Sequence, residues 1–179
     1  LADAGAQVAV AGRTVSRLEE SCRAIEKIGG LAMAVPTDVS DSLQVDAMVN
    51  LVVKELHHVD VLVNSAGELF RGTVAPLPRQ PQHPDVYPDA PPLMRDEDWT
   101  RVVDVNLSGT FHCCRAVAPG MIQQGGGSII NISSPAAFKV GPYNAPYHAS
   151  KAAVSTLTRA LAIEWGSYNV RVNAIAPGW

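Results

Sequence analysis

The sequence has no apolar run approaching the length of a membrane span, and its start shows no basic-then-apolar leader, so nothing in it points to a bilayer-crossing or exported chain. Cysteine is scarce. Cys22, Cys113 and Cys114 show no metal-ligand spacing, so no metal site is expected, and an odd number of thiols without a leader suits a reducing, cytoplasmic compartment. The adjacent Cys113 and Cys114 read as packing on a buried helix rather than as a redox pair. Charge of one sign is scarce too: a net charge of −3 supplies no electrostatic reason to expect nucleic acid or an anionic membrane as partner. A Gly-x-Ser-x-Gly elbow is absent, which removes the serine hydrolase that Ser134 and His148 would otherwise suggest.

What the chain does hold is apolar material in alternating periods. With 179 residues and 47% hydrophobic content it can bury one core, which predicts a single domain over residues 1–179. Gln7 to Ala11, Leu31 to Val35, Val59 to Val63, Ser128 to Asn131 and Val170 to Ile175 read as short buried strands. Helical spacing separates them. Leu18, Cys22, Ile25 and Ile28 form one stripe, stopped by Gly29-Gly30. Val45, Met48, Val49, Val52 and Leu56 form a second, after a Ser40 or Asp41 cap. The acids Asp96, Glu97 and Asp98 suit the start of a third helix, through Trp99, Val102 and Phe111 to Cys114. Val154, Leu157, Leu161 and Trp165 mark a fourth, ending near Gly166. Strand–helix alternation predicts an α/β fold with a parallel, doubly wound sheet.

One stretch breaks the pattern. Seven of the thirteen prolines lie between Pro76 and Pro92, so about 71–95 reads as an insert without regular helix or strand. An irregular surface excursion, a lid over the substrate, and sequence foreign to a working product are three readings of it. His83 and Tyr87 inside it receive no role.

The chemistry concentrates between Ser134 and Lys151. Tyr147 and Lys151 are four residues apart at the head of a helical pattern, so both project from one face about a turn apart. A free phenol titrates near ~10, and bringing it to near ~7 takes roughly 4 kcal/mol, which one ammonium at about 4 Å supplies at an effective dielectric near ~20. A tyrosinate so made takes a proton from an alcohol or, in reverse, gives one to a carbonyl. His148 points some ~100° away from Tyr147 on a helix and reads as structural.

Ser134 ahead of Tyr-x-x-x-Lys resembles the short-chain dehydrogenase/reductases. Asp38-Val39, Asn64-Ser65-Ala66-Gly67, Asn106 in Val-Asn-Leu, Asn131 to Ser134, Tyr147/Lys151 and Asn173 to Gly178 all match family positions in the right order. Ser65 stands where the family usually has a second Asn. The resemblance implies a Rossmann-like doubly wound sheet, here incomplete: the chain starts at Leu1 in what reads as the last turn of a helix, without the family's first strand and Thr-Gly-x-x-x-Gly-x-Gly turn, and stops at Trp179 before its last strand. The 179 residues alone are expected to be inactive.

The resemblance also implies roles. Ser134, Tyr147, Lys151 and Asn106 are the expected catalytic set, with Asn106 holding a proton-passing water through a local helix kink; an exposed polar position is the alternative for Asn106. Asp38 and Val39 are expected at the adenine, Asn64, Ala66 and Gly67 along the cofactor, Tyr147 and Lys151 at the nicotinamide ribose, and Pro177 and Gly178 over the nicotinamide. Asp38 as a plain loop acid is the alternative there. In a dinucleotide fold an acid closing the first βα unit's second strand would take the ribose 2′-hydroxyl; this chain has Gly12 there and Arg13 beside it, so NADP(H) is favoured over NAD(H), with a solvated surface arginine as the alternative. The implied reaction interconverts a ketone and a secondary alcohol. 3-Oxoacyl thioesters, sugar acids such as gluconate, steroids and xenobiotic carbonyls are the candidate substrates, and the full-length protein is expected to form homo-oligomers.

Overall fold

Short runs of valine, isoleucine and alanine form five strands, β1 (Val8–Gly12), β2 (Ala32–Pro36), β3 (Val61–Asn64), β4 (Gly127–Ile132) and β5 (Val170–Ile175), in a computed structural model that describes residues 1–76 and 91–178. Every pairing is parallel: β1 with β2, β3 with β4, and β4 with β5. Parallel neighbours require crossovers, and the helices supply them. They are α1 (Val15–Glu26), α2 (Ser42–Leu56), α3 (Asp96–Val103), α4 (Gly109–Gln123) and α5 (Ala145–Trp165), with a π-helical turn over Asp104–Ser108 between α3 and α4.

The helix signals act as expected from local chemistry. Asp41 caps α2, its Oδ1 accepting the backbone N–H groups of Leu43 at 2.9 Å and Gln44 at 3.3 Å. At α3, the Arg95 N–H donates to Asp98 Oδ2 at 3.2 Å and the guanidinium Nε to the same oxygen at 3.0 Å. Gly29, in the left-handed region at φ 79°, turns the chain after α1. Because α1 ends at Glu26, Ile28 falls beyond it and is 57% exposed rather than on the apolar stripe.

Two apolar clusters hold the layers together. Cys114, Val117 and Met121 of α4 pack with Ile129, Val170 and Val172 of β4 and β5 and with Leu161 and Trp165 of α5. Val45, Met48 and Val52 of α2 pack with Val35 and Cys113. Val49, Val59 and Leu62 touch both clusters. Cys113 and Cys114 are thus core residues, and burial pushes their thiols up, to about 11 and about 12.

The hydrogen-bonded ladders fall into a two-stranded sheet, β1–β2, and a three-stranded sheet, β3–β4–β5. Among the described residues β1 and β3 each have a ladder partner on one side. On β3, Val61 and Val63 are 42% and 41% exposed, unusual for valines in a parallel sheet. The proline-rich stretch is described only at its ends, where Thr73 bridges Leu93 and the Gly72 N–H donates to the Tyr143 carbonyl at 2.8 Å. His83, Tyr87 and the three readings of that stretch lie outside the described residues.

Candidate active site

Ser134 ends β4's extended path at φ −162° and ψ 154°, and Pro135 then starts a 3-10 turn, Pro135–Ala137. The Ser134 Oγ accepts the Ala136 N–H at 3.2 Å. That contact uses a lone pair, and the hydroxyl hydrogen stays free to be donated elsewhere. The chain returns at α5, where Pro146 occupies the first turn without forfeiting an intrahelical bond. Tyr147 and Lys151 follow on one face, with the lysine Nζ 5.8 Å from the centre of the tyrosine ring.

Lys151 is only 5% exposed. Its ammonium donates to the Ile132 carbonyl at 2.6 Å, and burial lowers its pKa below the usual lysine value. Ser133, also buried, donates to the Lys151 carbonyl at 3.2 Å and shares a 2.7 Å contact with the Ser155 hydroxyl. The end of β4 is therefore stitched to the first turns of α5, and Ser134, Tyr147 and Lys151 lie along that seam.

Asn106, fully buried in the π-helical turn, joins a third segment to it. Its Nδ2 donates to the Glu68 carbonyl and to Ser150 Oγ, both at 3.0 Å, while its Oδ1 accepts the Glu68 N–H at 2.7 Å. Ser150 in turn donates to the Tyr147 carbonyl at 2.9 Å. A π turn widens the helix by one residue and is found often at functional sites; here it coincides with the kink expected around Asn106. Gly67 lies against the same groups: a Cβ there would stand 3.5 Å from Asn106 Oδ1 and 3.7 Å from Lys151 Nζ.

Asn64 is placed differently from its neighbours. Its amide donates to Asn131 Oδ1 at 2.9 Å and approaches Cys114 Sγ at 3.3 Å, and Asn131 donates to Thr158 Oγ1 at 2.9 Å. The Asn64 side chain thus belongs to a buried polar layer inside the sheet, while Ala66 and Gly67 are exposed after it. Sequence reasoning named Asn131 only as the end of a strand and the head of the motif that runs to Ser134, and did not name Thr158. The signal available was two polar residues inside apolar runs, Thr158 falling on the Lys151 face of α5.

At the carboxyl ends of β1 and β2 lies a cleft of about 540 Å³, lined by Arg13, Asp38, Ser40, Thr100, Arg101 and Asp104 among others. Arg13, its side chain 58% exposed, reaches Glu68 Oε2 at 3.5 Å, and Arg101 Nε meets Glu68 Oε1 at 2.8 Å. Glu68, another residue the motifs did not flag, so carries two guanidinium neighbours. The Ser40 hydroxyl and N–H donate to Asp38 Oδ1 at 2.6 and 3.0 Å. The hydroxyl bond is the main reason the Asp38 carboxyl is held below the usual range, with the Arg13 charge a lesser one. Val39 is seated against α4: its carbonyl contacts the His112 ring at 3.1 Å, and a Cβ on Gly109 would come within 2.6 Å of its side chain. Pro177 and Gly178 follow β5 and are exposed.

Parallel strands joined through helices, with polar groups gathered at the strands' carboxyl ends, define a Rossmann-like α/β protein. More narrowly, the chain belongs to the short chain dehydrogenase family, whose sequence pattern matches residues 1–179. It is 39% identical over 151 residues to a 3-oxoacyl-[acyl-carrier-protein] reductase of Synechocystis sp., covering 84% of this chain and 54% of that protein. An uncharacterized oxidoreductase of Thermotoga maritima is 39% identical over 145 residues, 81% of this chain and 50% of its own length. The chain therefore spans about half the length of these curated relatives. Among solved structures it resembles a 7 alpha-hydroxysteroid dehydrogenase complexed with NADH and 7-oxo glycochenodeoxycholic acid, with TM-score 0.87 and 32% identity over 99% of this chain and 63% of that one. It also resembles a gluconate 5-dehydrogenase from Burkholderia cenocepacia in complex with NADP and tartrate, with TM-score 0.84 and 32% identity over 100% and 64% of the two chains.

Proposed function

We propose that the protein carrying this chain is an NADP(H)-dependent oxidoreductase that interconverts a ketone and a secondary alcohol. The observation that carries this reading is the buried Lys151 ammonium, which lies 5.8 Å from the centre of the Tyr147 ring and donates to the carbonyl of Ile132, two residues before Ser134 in the chain. The Ser134 hydroxyl, its oxygen already accepting the Ala136 N–H, donates to the carbonyl oxygen as it gains charge. Tyr147 moves the proton to or from that oxygen. Lys151 stabilises the ionised phenol electrostatically and would hold the ribose hydroxyls of a bound cofactor, and Asn106 holds the Glu68 backbone and Ser150 in place.

The residues present fit the two ends of a nicotinamide dinucleotide. Gly67, with no Cβ between it and Lys151, leaves room for a sugar edge to reach the ammonium. Asp38 and the Val39 backbone suit an adenine edge, and Arg13 suits a 2′-phosphate by charge and by its fork of donors. Ala66 and the exposed backbone after Asn64 are the cofactor-facing part of that motif, and Pro177 and Gly178 follow β5 at the same strand ends. When bound, the cofactor supplies the hydride; the protein fixes orientation and manages the proton. One solved relative holds NADH and another NADP, so the preference for NADP(H) rests on Arg13.

3-Oxoacyl thioesters, sugar acids, steroids and xenobiotic carbonyls are the substrate classes proposed, the first three paralleling the relatives above. A reducing, cytoplasmic setting suits the three free and buried thiols. Homo-oligomerisation is proposed through α5, whose Ile163 is strongly exposed. A second reading, that the 179 residues alone form a non-catalytic dinucleotide-fold protein, is favoured by the one-sided ladders of β1 and β3. Adding NADPH and a ketone to this chain and following the loss of nicotinamide fluorescence tests it, and turnover sinks it.

The decisive experiment on the first reading is Tyr147→Phe in the full-length protein. Carbonyl reduction should fall by ~10³-fold or more while NADPH binding persists, because the lost group is a proton donor and not a binding contact. Retained turnover would overturn the assignment.

A further inference from the structure

His148 is bonded through both ring nitrogens to the loop that follows Ser134. The Gly141 N–H donates to Nε2 at 3.1 Å, and Nδ1 lies 2.9 Å from the Ala136 carbonyl. A backbone N–H has only a proton to offer, so Nε2 must present its lone pair, and the neutral ring must carry its hydrogen on Nδ1, where it meets the carbonyl. The N–H of the same residue, which belongs to the preceding peptide group, donates to Ser134 Oγ at 3.2 Å. The imidazole is therefore bonded to Gly141 on one side and to Ala136 on the other, and Ala136 is in turn bonded to the serine hydroxyl through its own N–H.

We infer that His148 is a positioning residue for Ser134: its neutral, Nδ1-protonated ring clamps the 136–141 loop onto the first turn of α5 and aims the serine hydroxyl at the substrate oxygen. The inference rests on the oxidoreductase reading for its catalytic consequence, though not for the tautomer itself. Position supports it. His148 follows Tyr147 directly, so the clamp anchors the Ser134 loop to the helix turn that carries the proton donor, and serine and tyrosine are held in register by one side chain. The loop also needs holding. Tyr143, on the way back into α5, sits in the left-handed region at φ 69°, a conformation that costs free energy for a non-glycine residue and persists only where surrounding contacts impose it. Two of those contacts are the Gly141 bond to His148 and the Gly72 N–H donated to the Tyr143 carbonyl.

A second proton on the ring would place an Nε2–H against the Gly141 N–H, donor against donor, and release that end of the clamp. The titratable groups on the elements bearing on the ring are Tyr147, edge-on with centroids 6.4 Å apart, and Lys151, Arg159 and Glu164 on α5, with Lys139 and Tyr143 on the loop. Ketone reduction is the direction to follow, because there Tyr147 works from its protonated form and imposes no fall toward acid of its own.

Two measurements on the full-length protein decide the matter. Ring ¹⁵N spectra of His148 should show the Nδ1–H tautomer at neutral pH; an Nε2–H ring overturns the clamp whatever the activity. His148→Leu, which removes both bonds, should lower kcat for ketone reduction about tenfold with NADPH affinity unchanged. His148→Gln, which keeps one donor and one acceptor but does not titrate, should recover kcat to within about threefold of the parent and lack the fall in kcat toward acid that a second ring proton should impose on the parent. Parent-like kcat in the leucine variant, or a glutamine variant no better than leucine, overturns the proposal. If the leucine variant does not fold, the tautomer and the glutamine pH profile still decide. Failure of Tyr147→Phe to abolish turnover would remove the oxidoreductase reading and leave the tautomer standing, so the two failures are told apart.

Discussion

The carboxyl ends of β4 and β1 face the same kind of task and are built in opposite ways. Around β4 the polar side chains Asn131, Ser133, Asn106, Ser150, Lys151 and Thr158 are buried, and each is bonded to another element or to its own helix. Around β1 the working charges, Arg13 and Asp38, stand at an open cleft and meet neighbours across its rim. Buried networks rigidify because any unpaired member is costly, whereas rim charges are screened and worth little each. On the proposed reading, the β4 side is preorganised for chemistry, and the β1 side is suited to selecting a ligand by charge. Substitutions on the first should cost turnover or stability; on the second they should mainly move preference.

Lys151→Met probes this contrast most strongly. Turnover should fall by at least ~100-fold, since the ammonium that supports the ionised tyrosine is gone. Stability should not fall with it. Burial lowers the Lys151 pKa, so between its folded value and the ordinary lysine value the unfolded chain binds more protons, and stability rises with pH through that window. Below the window the folded chain bears the cost of a buried cation, which methionine removes. A large loss of urea-unfolding stability in the variant would mean that the lysine's chief role is structural. In the parent protein the same lowered pKa predicts that the alkaline decline in alcohol oxidation begins below the titration of a free lysine.

Asn131→Leu comes next. It takes from Asn64 its Oδ1 acceptor and from Thr158 an amide donor, leaving polar atoms in the core with poorer partners, and should destabilise by about 2–3 kcal/mol in urea unfolding. A change below about 0.5 kcal/mol would show that the buried layer does not hold the β3–β4 seam.

What was legible in advance divides along the same lines. Strands and helices were readable because their signals are local: valine runs bounded by glycine, a cap at Ser40 or Asp41, the acids before Trp99. The trio of Ser134, Tyr147 and Lys151 is proposed from motif order, and the structure draws the segments that bear the three together. The layer joining Asn64, Asn131 and Thr158 was not readable, since its bonds cross 67 and 27 positions and an asparagine next to a glycine-containing turn looks like a ligand contact before its partner is known. Glu68 escaped for a similar reason. Its backbone is gripped by Asn106 and its carboxylate by Arg13 and Arg101, none of them near it in the chain. Ile28 shows the reverse error, an apolar residue counted into a stripe that the helix had already left.

On the β1 side, Arg13→Ser should weaken NADPH binding about tenfold and leave NADH binding within about twofold, because only the former has a 2′-phosphate for the guanidinium to grip. Equal losses for both cofactors would assign Arg13 to the surface.

Glu68→Gln should have the smallest effect and the most specific one. The change leaves the backbone that Asn106 holds untouched and replaces only the carboxylate, whose Oε2 is buried, lacks a hydrogen-bond partner among the described residues and faces Arg13 at 3.5 Å. As long as that carboxylate is charged it competes with a 2′-phosphate for the arginine, at the modest strength of a half-exposed ion pair. Neutralising it should raise the NADPH-over-NADH preference by about two- to fivefold, read as the ratio of the two dissociation constants. The gain should disappear when Arg13→Ser is present in the same protein, since the competition needs both partners. A ratio that falls, or a gain that survives the loss of Arg13, would mean that Glu68 acts on the cofactor through Arg101 or not at all.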